Sequence, residues 1–154
     1  MPSTTSILQN LKNRYPQFKF EASDDFRWSP SDNVIFYNEK SPDLAVFLLH
    51  ELSHALLGHN QYERDIQLIT MERQAWDHTS KLAESFDVKV NDNIVQSALD
   101  SYRDWMHSRS TCPSCQAAGL QTAPDSYKCL SCNNIWRVNE ARTCALRRYT
   151  KKRP

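Results

Sequence analysis

The two histidines of the segment HELSH, His50 and His54, constrain the fold of this chain more than any other feature. Residues four apart in an α-helix share one face, with Cβ atoms about 5–6 Å apart, so both imidazoles can bind one metal ion. The flanking residues predict such a helix, because Ser41 suits its N-cap, Pro42 its first position and Gly58 its end.

Glu51 gives this predicted metal site a chemical use. It lies about 100° around the helix from His50, so its carboxylate can reach water at the metal instead of the metal itself. The resulting HExxH pattern is typical of zinc metallohydrolases, in which the glutamate acts as general base. The pattern therefore predicts a zinc-dependent endopeptidase, and two ordinary core histidines that bond to the backbone are the alternative.

The predicted zinc site needs a third protein ligand from elsewhere in the chain. Glu72 is one candidate, 18 residues after His54 in a second helix that we expect from about 62 to 86. Other nitrogen or oxygen donors stay open as the third ligand: Asp77, His78, His59 and Glu63. The residue that stabilises the oxyanion of amide hydrolysis is also open, among three candidates: His59, His78 and Tyr62.

The strand segments before the motif, HELSHALLGH itself and the later segment ERQAW together resemble the ImmA/IrrE family of metallopeptidases, in a short form similar to a minigluzincin. The resemblance covers about residues 30–86. It implies an α+β fold with a zincin-like core, in which a small sheet accompanies the HExxH helix and a glutamate helix. It also implies that the strand NVIFY at 33–37 lies along the cleft and pairs with an extended substrate.

The same resemblance implies roles for individual residues. Zinc would bind His50, His54 and Glu72, Glu51 would act as general base and acid, and the substrate would be a protein such as a DNA-bound repressor. Many gluzincins also have an Asp or Asn four residues after the glutamate ligand, where it orients the first histidine.

This chain departs from that pattern, because it has Trp76 at the orienting position and Asp77 one residue later. One residue turns a helical side chain by about 100°, so we do not expect Asp77 to orient His50. A SprT-like protease that acts on DNA-bound proteins is a rival, since such proteins also join HExxH to a zinc ribbon. Their third histidine usually lies in a His-Gly segment, whereas His78 precedes Thr79 here.

Four of the five cysteines form a second metal motif. The pairs CPSC and CLSC are separated by 13 residues, which is the spacing of a structural zinc ribbon. The expected ligands of this structural zinc are Cys112, Cys115, Cys129 and Cys132. Strand-forming residues follow, namely Tyr127, Ile135, Trp136 and Val138, while Cys144 is left over. With the catalytic ion, the sequence predicts two zinc ions per chain.

Length and charge predict two modules. A chain of 154 residues with 40% hydrophobic residues can build one core and a small satellite, so we expect a metallopeptidase domain at 1–108 and a ribbon with a basic tail at 109–154. The first carries 10 Lys/Arg and 16 Asp/Glu (10 − 16 = −6), and the second carries 9 and 2 (9 − 2 = +7). The basic module predicts contact with DNA, and a tail that folds on its own acidic domain is the alternative.

The sequence gives no sign of a membrane partner. Its longest uninterrupted apolar run, Leu44 to Leu49, is far below the roughly 20 residues of a membrane span, and no N-terminal signal peptide is evident. Because the cysteine spacing fits metal binding better than disulfides, a cytoplasmic protein is expected. A non-catalytic zinc-ribbon adaptor for nucleic acid or protein is the remaining alternative to an enzyme.

Overall fold

The computed structural model describes residues 4–142 and 144–150, with side chains from residue 6. Its helices are α1 (Thr4–Arg14), α2 (Leu44–Leu56), α3 (Asp65–Ser85) and α4 (Asp92–Ser110). Its strands are β1 (Lys19–Ala22), β2 (Arg27–Ser29), β3 (Val34–Tyr37), β4 (Gly119–Ala123), β5 (Ser126–Cys129), β6 (Ile135–Val138) and β7 (Arg148–Thr150). The predicted α+β class is thus confirmed. None of these helices is both long and apolar enough to cross a membrane.

The chain divides into two compact units. The described residues of 1–61 and 71–95 form the first unit, and those of 62–70 and 96–154 form the second. The division runs through α3 and α4 and does not coincide with residue 108. It does not decide the expected domain boundary at that residue, which stays a prediction.

The first unit contains a three-stranded sheet in the order β1-β3-β2. The central strand β3 pairs in parallel with β1 and antiparallel with β2, so both of its edges are occupied. The expectation that NVIFY pairs with an extended substrate is therefore wrong, because a strand with two neighbours has no free backbone groups for a third. In the described part of the sheet, β2 is an edge strand that has a partner on one side only.

Helix α2 packs its apolar face on this sheet and on α1. Its leucines at 44, 48, 49 and 52 are at most 3% exposed and contact Ile35 of β3 and Leu11 of α1 in one cluster. The helix begins at Leu44 with Asp43 as its N-cap, so the predictions of Ser41 as N-cap and Pro42 as first helical residue were both wrong by two residues. The Ser41 hydroxyl instead accepts the backbone N–H of Asp43 in the preceding turn, at 3.2 Å.

The predicted end of α2 is confirmed at Gly58, whose φ is +68°. The N–H of Gly58 donates to Ala55 O at 3.2 Å, and the N–H of His59 donates to His54 O at 3.0 Å. This pair of bonds is a Schellman motif, which requires a left-handed residue after the helix and favours glycine there. The motif turns the chain back, so that His59 lies next to the last turn of the helix.

The second unit contains the antiparallel sheet β4-β5-β6-β7. Its small core holds Cys112, Tyr127, Cys129, Trp136 and Val138, each at most 4% exposed. The rings of Tyr127 and Trp136 are stacked with centroids 5.6 Å apart. The predicted ribbon strands around these residues are confirmed as β5 and β6. The basic residues predicted in the tail fall partly in β7, and those at 151–153 lie outside the described residues.

A buried ion pair joins two helical segments within the second unit. Arg109, only 2% exposed, donates from Nε to Asp65 Oδ2 at 2.9 Å and from Nη2 to Asp65 Oδ1 at 3.2 Å. The Tyr127 hydroxyl donates to the same carboxylate, and Gln121 Nε2 donates to Asp65 Oδ1 at 3.1 Å. Arg109 therefore belongs to the core, although its charge counts toward the basic half of the sequence.

Candidate metal centres

The imidazoles of His50 and His54 and the carboxylate of Glu72 meet inside the first unit. The two Nε2 atoms are 3.2 Å apart, His50 Nε2 is 2.9 Å from Glu72 Oε2, and His54 Nε2 is 2.9 Å from Glu72 Oε1. All three residues are at most 8% exposed. The expected i, i+4 pair on α2 and the expected glutamate on α3 are thus brought together, and they could hold a metal ion. We name this group the His/Glu centre.

The spacing of these atoms fits a small divalent cation. Ligands about 2.0–2.2 Å from a tetrahedral ion are about 3.3–3.6 Å apart, and the observed separations of 2.9 to 3.2 Å are only slightly shorter. The other predicted donors do not join the group. Among the described side chains, four candidates lie outside both sets that could hold a metal: Asp77, His78, His59 and Glu63.

The electrostatics of the His/Glu centre favour a positive charge between its ligands. Burial alone would raise the pKa of Glu72, but hydrogen bonds from His50 and His54 hold it well below its ordinary value. Burial would lower the pKa of His54, yet the bond to Glu72 and its charge raise it. The carboxylate is therefore ionised at neutral pH and attracts a cation, which can be a proton or a metal ion.

Glu51 lies next to the ligands and differs from Glu72 in its titration. Burial raises the pKa of Glu51 above its ordinary value, while the charges of His50 and His54 and a backbone hydrogen bond from Trp28 act in the opposite direction. A carboxylate whose pKa is raised toward neutrality is a better proton acceptor for catalysis than an ordinary one. Its interaction with Trp28 also links the centre to strand β2.

Trp76, four residues after Glu72 on α3, packs on His50. The rings are stacked with centroids 4.0 Å apart and planes inclined by 23°. His50 Nδ1 has no hydrogen-bond partner among the described residues. This agrees with the expectation that Asp77, which is exposed, does not orient His50. Ring packing thus holds His50, and although the sequence places Trp76 four residues after Glu72, it did not predict the stacking.

His54 is held by hydrogen bonds instead. Its Nδ1 is 2.9 Å from Nδ1 of His59, and Nε2 of His59 is 3.0 Å from Oε1 of Gln74. Burial lowers the pKa of His59, which favours its neutral ring. His59 therefore contacts the predicted ligand His54 at its Nδ1, whereas the other ring nitrogen of His54, Nε2, lies next to Glu72. Sequence reasoning missed Gln74, although it lies only two residues after Glu72.

His78 contacts a buried hydroxyl pair between α2 and α3. Its Nδ1 is 3.1 Å from Ser53 Oγ, which is itself 3.1 Å from Thr79 Oγ1. Ser53 and Thr79 are both fully buried. His78 therefore lies beside the interface of α2 and α3, and its role as an oxyanion donor stays a prediction.

The four predicted ribbon cysteines form the second group, which we name the cysteine centre. The Sγ atoms of Cys112 and Cys132 are 3.6 Å apart, and those of Cys115 and Cys129 are 3.5 Å apart. Thiolates about 2.3 Å from a tetrahedral ion are about 3.8 Å apart, so the group fits one zinc ion. All four thiols are free, and the group could hold a metal ion.

Each cysteine pair lies in the same kind of turn. Gln116 and Asn133 follow the first cysteine of their pair by four residues and have φ of 65° and 60°. Their N–H groups each donate to the carbonyl of that cysteine, Cys112 or Cys129, at 2.9 Å. Burial would raise the pKa of the Cys112 thiol, but backbone N–H groups in its turn lower it to about 6. Backbone N–H groups also lower the pKa of Cys129. A backbone hydrogen bond would lower the pKa of Cys132, but burial and hydrogen bonds with the other thiols raise it to about 12. The turns therefore favour the thiolate at the first cysteine of each pair.

No family model matches this chain, and no curated protein and no solved structure matches it. The two candidate metal centres are therefore inferred from their geometry alone.

Proposed function

We propose that this chain is a metal-dependent endopeptidase of the gluzincin type, with an ImmA/IrrE-like catalytic core. The observation that carries the proposal is the convergence of His50, His54 and Glu72, with polar atoms 2.9 to 3.2 Å apart, beside Glu51. When bound there, a divalent ion such as zinc supplies a Lewis acid that activates water and polarises a peptide carbonyl.

Glu51 moves the proton in this mechanism. Its carboxylate accepts a proton from the attacking water and later delivers it to the nitrogen of the leaving amine. Burial raises the pKa of Glu51, which suits both steps, because the protonated acid then persists long enough to donate. The ligands hold their geometry because all three are buried and two of them share one helix.

Strand β2 is the proposed docking edge for an extended peptide substrate. Trp28 lies on this strand, its backbone hydrogen bond acts on Glu51, and its indole donates to His59 O at 3.2 Å. A peptide that adds to a sheet edge gains main-chain hydrogen bonds, and its carbonyl groups then run past the centre. Resemblance to ImmA/IrrE proteins suggests a DNA-bound repressor as the natural substrate.

The test is metal analysis followed by a search for cleavage. We expect two zinc ions in the wild type, with one lost in Glu72→Ala and the other lost in Cys112→Ser. The wild type and Glu51→Gln are then incubated with a peptide library made from a cell lysate, and new termini are identified by mass spectrometry. Glu51→Gln is expected to retain both ions and to lose about 10²–10⁴-fold in cleavage rate.

Two outcomes would contradict this proposal. One zinc ion per wild-type chain, with the same stoichiometry in Glu72→Ala, would show that the His/Glu centre does not bind metal. Two ions with identical products from the wild type and Glu51→Gln, or with none, would favour the non-catalytic adaptor.

We also propose that the outer face of the ribbon sheet binds single-stranded nucleic acid. Along β5 and β6 the exposed residues Lys128, Ile135 and Arg137 alternate with buried ones, and Arg137 pairs with Tyr149 of β7. Ile135 and Tyr149 are 46% and 48% exposed. Strands β4 to β7 contain no Asp or Glu. Lysine and arginine side chains can neutralise the phosphates of a nucleic acid, and an exposed tyrosine ring can stack on its bases.

Fluorescence anisotropy with labelled oligo-dT and with a duplex of equal length tests this second proposal. We expect tighter binding of the single strand, a steep loss of affinity with added salt, and weaker binding by Arg137→Glu and Tyr149→Ala. Preference for the duplex, with cleavage of many DNA-bound proteins that DNA stimulates, would favour a SprT-like protease. Binding of neither would restrict the face to contacts with protein.

A further inference from the structure

His54 Nδ1 is the start of a hydrogen-bonded chain that leads away from the His/Glu centre. It lies 2.9 Å from His59 Nδ1, and His59 Nε2 lies 3.0 Å from Gln74 Oε1. The chain thus crosses from α2, through the turn after it, to α3. Two further contacts fix the backbone of His59, since its N–H donates to His54 O at 3.0 Å and its carbonyl accepts the Trp28 indole N–H at 3.2 Å.

The amide of Gln74 fixes the protons along this chain. An amide oxygen only accepts hydrogen bonds, so Nε2 of His59 carries the hydrogen that it donates to Gln74. In the neutral ring, Nδ1 of His59 is then an acceptor, and Nδ1 of His54 must be the donor. A neutral His54 then has its lone pair on Nε2, the nitrogen 2.9 Å from Glu72 Oε1. Without a metal ion, Nε2 instead takes the proton with which His54 donates to Glu72, and a metal ion would replace that proton.

We propose that His59 and Gln74 are positioning residues, which hold His54 in the tautomer and ring orientation that presents Nε2 to a metal ion. Both nitrogens of His59 are engaged in this task, so it is neither the third ligand nor a free donor to an oxyanion. The proposal rests on the metal centre of the proposed function, but it does not require that the protein hydrolyse peptides.

The two histidines of the centre are therefore positioned by different means. His50 is held by the stacked ring of Trp76, and its Nδ1 has no described hydrogen-bond partner. His54 depends on His59, which in turn depends on the Schellman turn at Gly58 and on Gln74. Loss of an outer partner of a ligating histidine typically lowers metal affinity about 10–100-fold, so the loss of His59 is expected to act through His54 alone.

The experiment measures metal affinity, with the cysteine centre as an internal reference in the same molecule. The wild-type protein is stripped of metal and titrated with Co²⁺ and then with Zn²⁺ against a chelator, and the absorption bands separate thiolate from nitrogen–oxygen coordination. We expect His59→Phe and Gln74→Met to weaken only the His/Glu centre, by about 10–100-fold and by less, respectively. Gln74→Glu keeps the acceptor and is expected to bind at least as tightly as the wild type.

Matched controls separate positioning from general damage. Gln96→Met makes the same change at an exposed glutamine of α4 and is expected to leave both affinities unchanged. Gln74 is also exposed, so its variants decide the question even if His59→Phe does not fold. Nitrogen-15 NMR of the zinc-loaded protein gives an independent readout, because the proposal requires a hydrogen on Nδ1 of His54.

The outcomes distinguish a failure of the proposed positioning role from a failure of the His/Glu centre to bind metal. Two metal ions in the wild type, with unchanged affinity in both His59→Phe and Gln74→Met, would overturn the positioning role and leave the centre intact. A wild type that binds metal only through its cysteines would contradict both the His/Glu centre and the positioning role. A hydrogen on Nε2 of His54 in the metal-loaded protein would also contradict the positioning role.

Discussion

The cysteine centre and the His/Glu centre differ in how far along the chain their ligands come from. The cysteine centre uses two four-residue turns, and backbone N–H groups within a turn lower the pKa of Cys112. The His/Glu centre takes two ligands from α2 and the third from α3, and side chains orient them. The comparison indicates that short local motifs specify the cysteine centre, whereas the His/Glu centre depends on packing between elements.

The two centres also differ in their exposure. Cys115 and Cys132 are exposed while their partners are buried, whereas all three ligands of the His/Glu centre are buried. Four thiolates complete a tetrahedral shell and exclude a substrate, but three ligands leave one position for water. We therefore expect substitutions to affect folding at the cysteine centre and metal affinity or rate at the His/Glu centre.

The largest expected effect comes from the cysteine centre. Cys129→Ser removes one of the four thiols that could hold a metal ion, and structural zinc sites contribute about 10–16 kcal/mol of apparent binding free energy to folding. We expect loss of one metal ion and collapse of the near-ultraviolet circular dichroism that the stacked Tyr127 and Trp136 produce. Cys144→Ser, at an exposed cysteine outside the group, is the control. A Cys129→Ser protein with an unchanged spectrum would show that the ribbon folds without its metal.

The buried ion pair tests whether the second unit depends on metal alone. Arg109→Met leaves the Asp65 carboxylate buried without its cation, which typically costs about 3–5 kcal/mol in the free energy of unfolding. The double variant Arg109→Met/Asp65→Leu is expected to recover much of that loss, because no unpaired charge remains. Urea unfolding of the zinc-loaded proteins measures both. Equal stability of the wild type and Arg109→Met would mean that the metal dominates this unit.

Gly119 tests the packing of the ribbon core. A Cβ at this position would lie 3.0 Å from Trp136 Cζ2 and 3.1 Å from Ser110 O, so the buried indole has to move. We expect Gly119→Ala to lower the free energy of unfolding by about 1–3 kcal/mol without changing metal stoichiometry. Thermal unfolding followed by tryptophan fluorescence measures the change, and an unaltered midpoint would show that the core accommodates a methyl group.

Gly58 provides the smallest effect and the sharpest contrast between the centres. Nothing lies within 4 Å of an added Cβ, but φ of +68° is unfavourable for alanine. Gly58→Ala is expected to cost about 1–2 kcal/mol of stability. It is also expected to weaken the His/Glu centre alone, because the Schellman turn positions His59. Equal weakening of both centres in a metal titration would contradict this local account.

Sequence alone predicted the features that depend on local spacing. The helical histidine pair and the two cysteine turns follow from separations of a few residues, and the structure brings these side chains together as expected. Glu72 was favoured through a resemblance and lies with the histidines in the structure. Its exact partners could not be derived, because the contact spans 22 residues and depends on how α3 packs.

The errors concern positions that residue type alone does not distinguish. Ser41 is a suitable N-cap by residue type, yet its hydroxyl accepts the N–H of Asp43 in the turn before α2, and the helix begins only at Leu44. NVIFY has the composition of any strand, and composition does not tell a central strand from an edge. Arg109 adds to the positive charge of residues 109–154, although it is buried against Asp65. For Arg109 the deciding partner, Asp65, is 44 residues away in sequence.

Each centre has a tryptophan in its immediate surroundings. Trp76 stacks on His50 at one centre, while Trp136 stacks on Tyr127, two residues before Cys129, at the other. Fluorine-labelled tryptophan would give a separate resonance for each of the four indoles in this chain. The fluorine signals of Trp76 and Trp136 would therefore report separately on the two centres, and the order in which the centres bind metal could be followed from them.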